Sequence, residues 1–414
     1  MTAPFVDDPL LPAAPFLTGP HGSDVLEPAI IAAGGRLLHA SAQQVIYRPG
    51  RDLTVMFAAS VAWGGQPAVA ETLVAGVDQS GDLPGTVAIE AGDLRVSVWR
   101  YPFDPMLPGL ADAVTDVGVA ALLGVAPAAV QLEVVSFRAC RRAVVRVRQA
   151  GTDDLYLKVV PPAEVDGLVG RHEALHRAEL AVPELTLVVP DRGVVVVRAL
   201  AGRDLRSAVG DPHATLPSAA QIASVLDQFA AVDLLSASPV LALLRAAPRH
   251  AAMLRLVLPE VGAQLDVLLT SLADDRRKVP PCTVHGDLHD AQLRIAPDGR
   301  IVGVLDVDGA GPGDPLDDLA RLTAHLHALA ALGDGRDLAA GDVRVLAYAT
   351  SMLHDMRALV DDRAAFDRRV AAALIGLATG PYRSQTDGWR ESTHEVLAIG
   401  RRILEDEKGL SKPS

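Results

Sequence analysis

The apolar residues of this chain change their period near residue 200, and that change narrows the fold more than any other feature. Before it, apolar residues come in short runs bounded by turn residues. "QVIYRPGRDLTVMFAAS" (44–60) reads as a strand, a tight turn at Pro49 and Gly50, and a second strand, followed by the strand-like pieces "GTVAIEAG" and "LRVSVWRY". The pattern returns in "EVVSFRACRRAVVRVRQA" (133–150), "LYLKVV" and "RGVVVVRAL", with helical spacing in "EVDGLVGRHEALHRAEL" between the last two. Beyond "AGRDL", alanine and leucine recur at helical spacing over about 217–235, 251–274, 315–331, 340–361, 363–377 and 388–405. This order predicts an α+β fold, sheet-rich first and mostly helical afterwards.

A chain of 414 residues exceeds one ordinary core, and a hydrophobic content of 50% is enough to fill two or three. Residues 1 to about 115 are expected to form a separate β-rich domain, and a helix over about 109–124 leads into the second hairpin. Laid side by side, the two hairpins match Arg48 with Arg138, Arg51 with Arg141 and Val55 with Val145. Either the hairpin is duplicated, or two arginine-rich hairpins simply look alike.

Charge excludes some functions. The formal net charge is −13 and no basic stretch is present, so a nucleic-acid partner is not expected. Cys140 and Cys282 are too few for a disulfide framework and lack zinc spacing, which fits a reducing cytoplasm. The first residues, "MTAPFVDDPLLPAAPFLTG", carry aspartates and prolines where a signal peptide has basic and then apolar residues. The longest apolar run, Val117 to Leu132, is broken by Pro127 and is too short for a bilayer. A cytoplasmic protein with no membrane association is the expectation.

Three places carry chemistry. Only four of the 38 basic residues are lysine, and Lys158 is the sole one before residue 278, set in the middle of an apolar strand. Such a lysine either snorkels to water or, if buried, needs an anionic partner. Glu173 on the following helix is the candidate, because a lysine held by a helix glutamate is how a kinase positions the α- and β-phosphates of ATP. The second place is "TVHGDLHDAQLRI" (283–295). His285, Asp287 and Gln292 repeat the spacing of a kinase catalytic loop, in which an aspartate accepts the acceptor's proton and an amide five residues later ligates magnesium. The third is "VGVLDVDGAGPGDPLDDLARL", where Asp306 and Asp308 follow a strand. Two carboxylates two apart at a strand end point the same way and call for a cation. Asp314 and Asp317 fit an N-cap and the positive end of the next helix. His289 is expected to brace the loop, since no second histidine stands at ligand spacing. His172, Asp204, Glu391 and His394 read as solvated helix or turn residues.

With Lys158, Glu173, "HGDLHDAQ" and "LDVDGAGPGDPLDDLA" in view, the chain resembles the aminoglycoside phosphotransferase and choline kinase-like family of small-molecule kinases over about residues 120–400. In that family the loop usually reads H-G-D-x-H-x-x-N and the later motif D-x-[DE] followed by G-D-P-x-x-D-x-A. The resemblance implies a protein kinase-like fold with a small β-rich lobe (116–200) and a helical lobe (201–414) behind an N-terminal cap (1–115). It implies ATP and magnesium as cofactors and a hydroxylated small molecule as the acceptor. Position by position, it implies Asp287 as catalytic base, Lys158 on the phosphates with Glu173 holding it, and Gln292, Asp306 and Asp308 at the metal. Asp318 would brace the catalytic loop beside His285 and His289, and the backbone of Arg198, Ala199 and Leu200 would meet the adenine edge. The turn "RACRRA" lacks the G-x-G-x-x-G of protein kinases, as is common in the family. Gln292, together with a strand-rich extension, is similar to the maltokinase-like branch, whose members phosphorylate maltose or glucosamine.

Rival readings remain at this stage. An aminoglycoside antibiotic would serve equally as acceptor, and a pseudokinase would keep the fold without the chemistry. The latter predicts loss of Lys158, Asp287 or Asp306, and all three are present. A two-metal phosphoesterase would need a further histidine and aspartate cluster downstream, which the sequence lacks.

Overall fold

The structure, a computed structural model, describes residues 8–273, 279–334, 338–339 and 341–410. The start of the N-terminal segment read above, Lys278, and positions 274 and 340 at the edges of two expected helices lie outside the described residues. Two compact units divide the chain. The first contains the described residues up to Asp166 with Leu185–Ala199 and Pro381–Trp389; the second holds the remainder.

The first unit contains two five-stranded antiparallel sheets. In one, β1 (Gly35–Arg48), β2 (Asp52–Trp63), β3 (Val69–Asp78), β4 (Val87–Ala91) and β5 (Leu94–Arg100) lie in the order β1-β2-β3-β5-β4. Short helices α1 (Ala13–Thr18) and α2 (Glu27–Ala32) precede it. In the other, β6 (Gln131–Arg138), β7 (Arg142–Arg148), β8 (Leu155–Val159), β9 (Leu185–Val189) and β10 (Val194–Arg198) take the order β6-β7-β8-β10-β9. The two orders are the same. Both opening hairpins also turn through three residues around a left-handed one, Gly50 (φ 68°) and Cys140 (φ 58°), so the matched arginines occupy equivalent turn positions. Identical topology favours duplication over chance. The copies differ after the third strand, where the second sheet inserts α5 (Val165–Arg177).

Period-two patterning explains the second sheet. Ala143, Val145, Val147, Leu157, Val159, Val194 and Val196 turn to one side and bury against Leu107, Leu110, Ala113 and Val119. The expected helix at 109–124 is two helices, α3 (Leu110–Ala113) and α4 (Asp116–Leu123), because Thr115 leaves helical geometry to cap Gly118 N–H. A second cluster joins Ile46, Val74 and Trp99 of the first sheet to Ala139 and Cys140 in the β6–β7 turn. Asp104 fastens that turn by accepting from Cys140 N–H at 2.9 Å.

The second unit is mostly helical: α6 (Leu205–Gly210), α7 (Ala219–Ala230), α8 (Leu243–Val257), α9 (Gly262–Leu272), α10 (Pro315–Leu332), α11 (Val343–Leu359), α12 (Arg363–Leu377), α13 (Gly380–Arg383) and α14 (Trp389–Leu410), of which α13 and α14 begin or end in residues of the first unit. The helix expected over 251–274 is interrupted at Leu258–Pro259, where proline cannot continue α8. α10 packs against both α11 and α12, burying Leu316, Ala320, Leu322 and Leu326. Two small antiparallel ladders frame the polar segments. β11 (Arg203–Asp204), β13 (Leu293–Ile295) and β14 (Ile301–Val304) form one, while β12 (Cys282–Val284) pairs with β15 (Gly311–Gly313). Residues 285–292 and 305–310 are therefore pinned at both ends. Among the described residues no helix is long and apolar enough to cross a membrane.

Candidate active site

The loop after β12 is built around two buried groups, Asp318 and His285. Asp318 lies one turn into α10 and is 1% exposed; its carboxylate accepts from His285 N–H at 2.6 Å and Gly286 N–H at 2.9 Å. Burial pushes its carboxyl up, and His285 with the two loop N–H groups pulls it back. The His285 ring donates from Nε2 to Leu305 carbonyl at 2.8 Å and accepts at Nδ1 from Asp287 N–H at 3.2 Å. That single tautomer ties the 285–292 loop to the 305–310 segment. Gly286 has φ 86°, and a Cβ there would sit 2.9 Å from Val240 and 3.1 Å from Gly309 carbonyl, so a side chain is excluded. With its backbone fixed in this way, Asp287 projects outward, its side chain 55% exposed, facing Arg321 Nη1 at 3.6 Å.

Gln292 closes the loop beside Asp306. Its Nε2 is placed 3.4 Å from Asp306 Oδ2 and 3.0 Å from His289 Nε2. His289 Nδ1 accepts from Ala291 N–H, and burial moves the His289 pKa down, which favours a neutral ring. The Gln292 amide nitrogen donates to the Asp306 carboxylate. Amide and carboxylate oxygens are the donors that a hard cation such as magnesium takes.

Asp306 and Asp308 are not arranged as strand alternation suggested. β14 ends at Val304, Asp306 adopts a left-handed conformation (φ 55°, ψ 45°), and Asp308 lies in a single 3₁₀ turn, Val307–Gly309. Asp308 Oδ1 meets His172 Nε2 at 3.1 Å. His172, expected to be solvated, is 1% exposed and also contacts Pro183 carbonyl through Nδ1 at 3.2 Å. Its neighbour Arg171 donates to Ala310 carbonyl at 2.7 Å, so α5 braces the acidic turn from both sides. Glu173 is exposed on this helix and makes no hydrogen bond or ion pair among the described residues, because helical spacing turns His172 inward in its place.

Asp314 caps α10 through Leu316 N–H and pairs with Arg369 at 2.8 Å, as an N-cap reading allows. Asp317 does more than face a helix dipole. It accepts from Leu243 N–H and lies 3.1 Å from Arg369, with burial pushing its pKa up to about 6. His289 does acquire a second histidine, His325 of α10, stacked on it at 4.8 Å and 18°, while buried Asp290 pairs with Arg206. The three side chains His289, Asp290 and His325 lie near enough to suggest a metal. Near-parallel rings aim their lone pairs along separate planes, however, and His289 Nδ1 is taken by Ala291, so packing is the better account.

In the first unit, Lys158 is 7% exposed, which rules out snorkelling. It stands in β8 opposite Val144 and Val195, while its neighbours Leu157 and Val159 face the core. Arg198 is exposed at the end of β10, and Ala199 N–H donates to Asp154 carbonyl. Leu200, in the second unit, packs over Gly303.

A buried-histidine loop presenting an aspartate, followed by an amide and an acidic turn, thus stands on the helical unit of an α+β chain. Residues 137–379, more than half of the chain, match the model of the phosphotransferase enzyme family (APH), and the chain belongs to that family. Among solved structures it is similar to the apo form of a thermostable mutant of aminoglycoside phosphotransferase APH(4)-Ia, at 18% identity and TM-score 0.49 over 70% of this chain and 98% of that one. A ternary complex of a variant of the same enzyme with AMP-PNP and hygromycin B matches at 17% identity and TM-score 0.49 over 69% and 96%. A choline/ethanolamine kinase family protein from Mesorhizobium loti matches at 17% identity and TM-score 0.47 over 70% and 93%. No curated protein matches the chain.

Proposed function

We propose that the protein is an ATP- and magnesium-dependent kinase that transfers the γ-phosphate to a hydroxyl of a small polar metabolite, a sugar or amino sugar. The observation that carries this reading is the single hydrogen-bonded framework of Asp318, His285 and Leu305, which presents exposed Asp287 and holds the hydrogen-bonded Gln292–Asp306 pair beside it. Asp287 accepts the proton of the acceptor hydroxyl as its oxygen bonds to phosphorus and ADP leaves. Gln292, Asp306 and Asp308 would hold magnesium, which when bound would offset the phosphate charge. Lys158 takes the phosphates, and the Arg198–Leu200 backbone meets the adenine edge. Glu173 is exposed, with no hydrogen bond or ion pair among the described residues, and is the member of this set with the least support. His285, His289 and Asp318 hold the loop in place. Residues 1–115 form a cap that shapes the acceptor side, and that extension together with Gln292 supports placement near the maltokinase-like branch.

Calorimetry of the full chain with ATP, with and without magnesium, tests the nucleotide half of this proposal. A screen for ADP release against sugars and amino sugars tests the other. Lys158→Met should weaken both binding and turnover. Absence of any magnesium-dependent ATP affinity would refute the reading.

A further inference from the structure

Arg321 has no part in the assignment above. It lies on α10 one turn beyond Asp318 and one turn before His325, so the three share a helix face. Its side chain is 20% exposed and reaches Asp287 only at 3.6 Å, beyond hydrogen-bond length, and its Nε is buried with no hydrogen-bond partner. A buried guanidinium N–H left without an acceptor is costly unless something else completes the site.

The carboxylates on this loop and on the first turns of α10 each have a partner within the protein, although Asp290 Oδ1 is buried without one. Asp290 pairs with Arg206, Asp314 and Asp317 share Arg369, and Asp318 holds two loop N–H groups. Of the acidic groups on this loop and the first turns of α10, Asp287 alone is exposed, and it faces a fixed cation. Ammonium groups arriving here would meet Arg321 with no spare carboxylate among these residues to receive them. Oxygen atoms would meet an unsatisfied donor.

We infer that Arg321 binds the acceptor through an oxygen beside the reacting hydroxyl, and that the acceptor presents uncharged or anionic oxygen there, not ammonium. The inference rests on the reading of Asp287 as the base. It narrows the substrate class to neutral sugars and sugar acids and sets aside protonated amino sugars, aminoglycosides and amino alcohols. Specificity of this kind comes from both sides: a donor left unpaired by the wrong ligand, and like-charge repulsion against it.

The test is a panel assayed with the full chain and Mg-ATP: glucose, maltose and gluconate against glucosamine, kanamycin, hygromycin B, choline and ethanolamine, with ADP release and phosphorylated product both measured. At least one member of the first group should be phosphorylated, with kcat/KM about tenfold or more above every member of the second. Arg321→Met should raise the KM for that acceptor about tenfold or more and leave the KM for ATP within about twofold. Arg321→Lys, which keeps the charge and loses the fork, should fall between and guards against a folding defect in the methionine variant. Best turnover on an ammonium-bearing acceptor overturns the proposal, as does an unchanged acceptor KM in Arg321→Met. Failure of every neutral and anionic member while Mg-ATP still binds also overturns it, leaving the nucleotide reading intact. Loss of Mg-ATP binding in the parent protein removes the reading on which it rests.

Discussion

Asp318→Asn exchanges one carboxylate oxygen for an NH₂ inside the most buried part of the loop framework. The parent side chain accepts from His285 N–H at 2.6 Å and from Gly286 N–H at 2.9 Å. Asparagine has one acceptor, so one of these two N–H groups must face a donor. The lost charge-assisted bond and the buried N–H left unsatisfied each cost on the order of 1–3 kcal/mol. Removing a buried charge, whose carboxyl is already pushed up by burial, returns part of this. The net destabilisation should be about 2–3 kcal/mol, a fall of roughly 4–10 °C in the melting transition that contains α10. Turnover should drop further than stability does. Gly286 precedes Asp287, and a shift of about 1 Å at the reacting groups costs around 100-fold. Differential scanning calorimetry, with Mg-ATP titration and acceptor kinetics on the same protein, separates the two effects. If Asp318→Asn melted within about 1 °C of the parent and kept its turnover, the loop would be holding its own shape, and the argument from these two bonds would be wrong.

Other perturbations give separate readings. Asp287→Asn should lower kcat by roughly 10²- to 10⁴-fold with ATP affinity nearly unchanged, and because the side chain is exposed its melting temperature should stay near that of the parent. Arg369→Met leaves Asp314 and Asp317 without their shared cation, and urea unfolding should show a loss of about 3–5 kcal/mol. His327 on α10 is held near pKa 4 by burial and by Arg357 and Arg402, below its unfolded value of 6.5. The unfolded chain therefore binds the extra proton first, so this group's contribution to stability is complete above pH 6.5 and is lost as pH falls toward 4. His327→Leu should flatten that part of the urea midpoint's pH profile, and an unchanged profile would count against the assignment. Asp104→Ala should speed amide hydrogen exchange across Arg138–Arg142, read by mass spectrometry, because Cys140 N–H loses its acceptor.

How far the sequence reaches can be judged residue by residue. The switch from period two to helical spacing placed the sheets before the helices, and the repeated hairpin hinted at the shared strand order. Loop spacing singled out His285, Asp287 and Gln292 because these contacts are local in sequence. It misjudged α5. His172 is four residues after Leu168 and three before Leu175, both buried, so helical spacing already assigned it to the inner face and left Glu173 outside. The same spacing from Asp318 leads to Arg321 and His325, a signal that went unused. Asp306 defeated the strand rule because a positive φ ends the alternation before the carboxylates are reached. Arg369 and the stacking of His325 on His289 depend on helix packing across dozens of residues, and no local pattern encodes them.

The anchoring of the β6–β7 turn bears on timing as well as on shape. Ordering a free hairpin on ligand binding forfeits conformational entropy. Here Ala139 and Cys140 are buried against Trp99 and Ile46, and Cys140 N–H is already committed to Asp104. Little freedom remains in that turn to be lost. The N-terminal sheet thus serves as a splint, so that the turn holds its shape before any ligand arrives and sets no separate clock by closing.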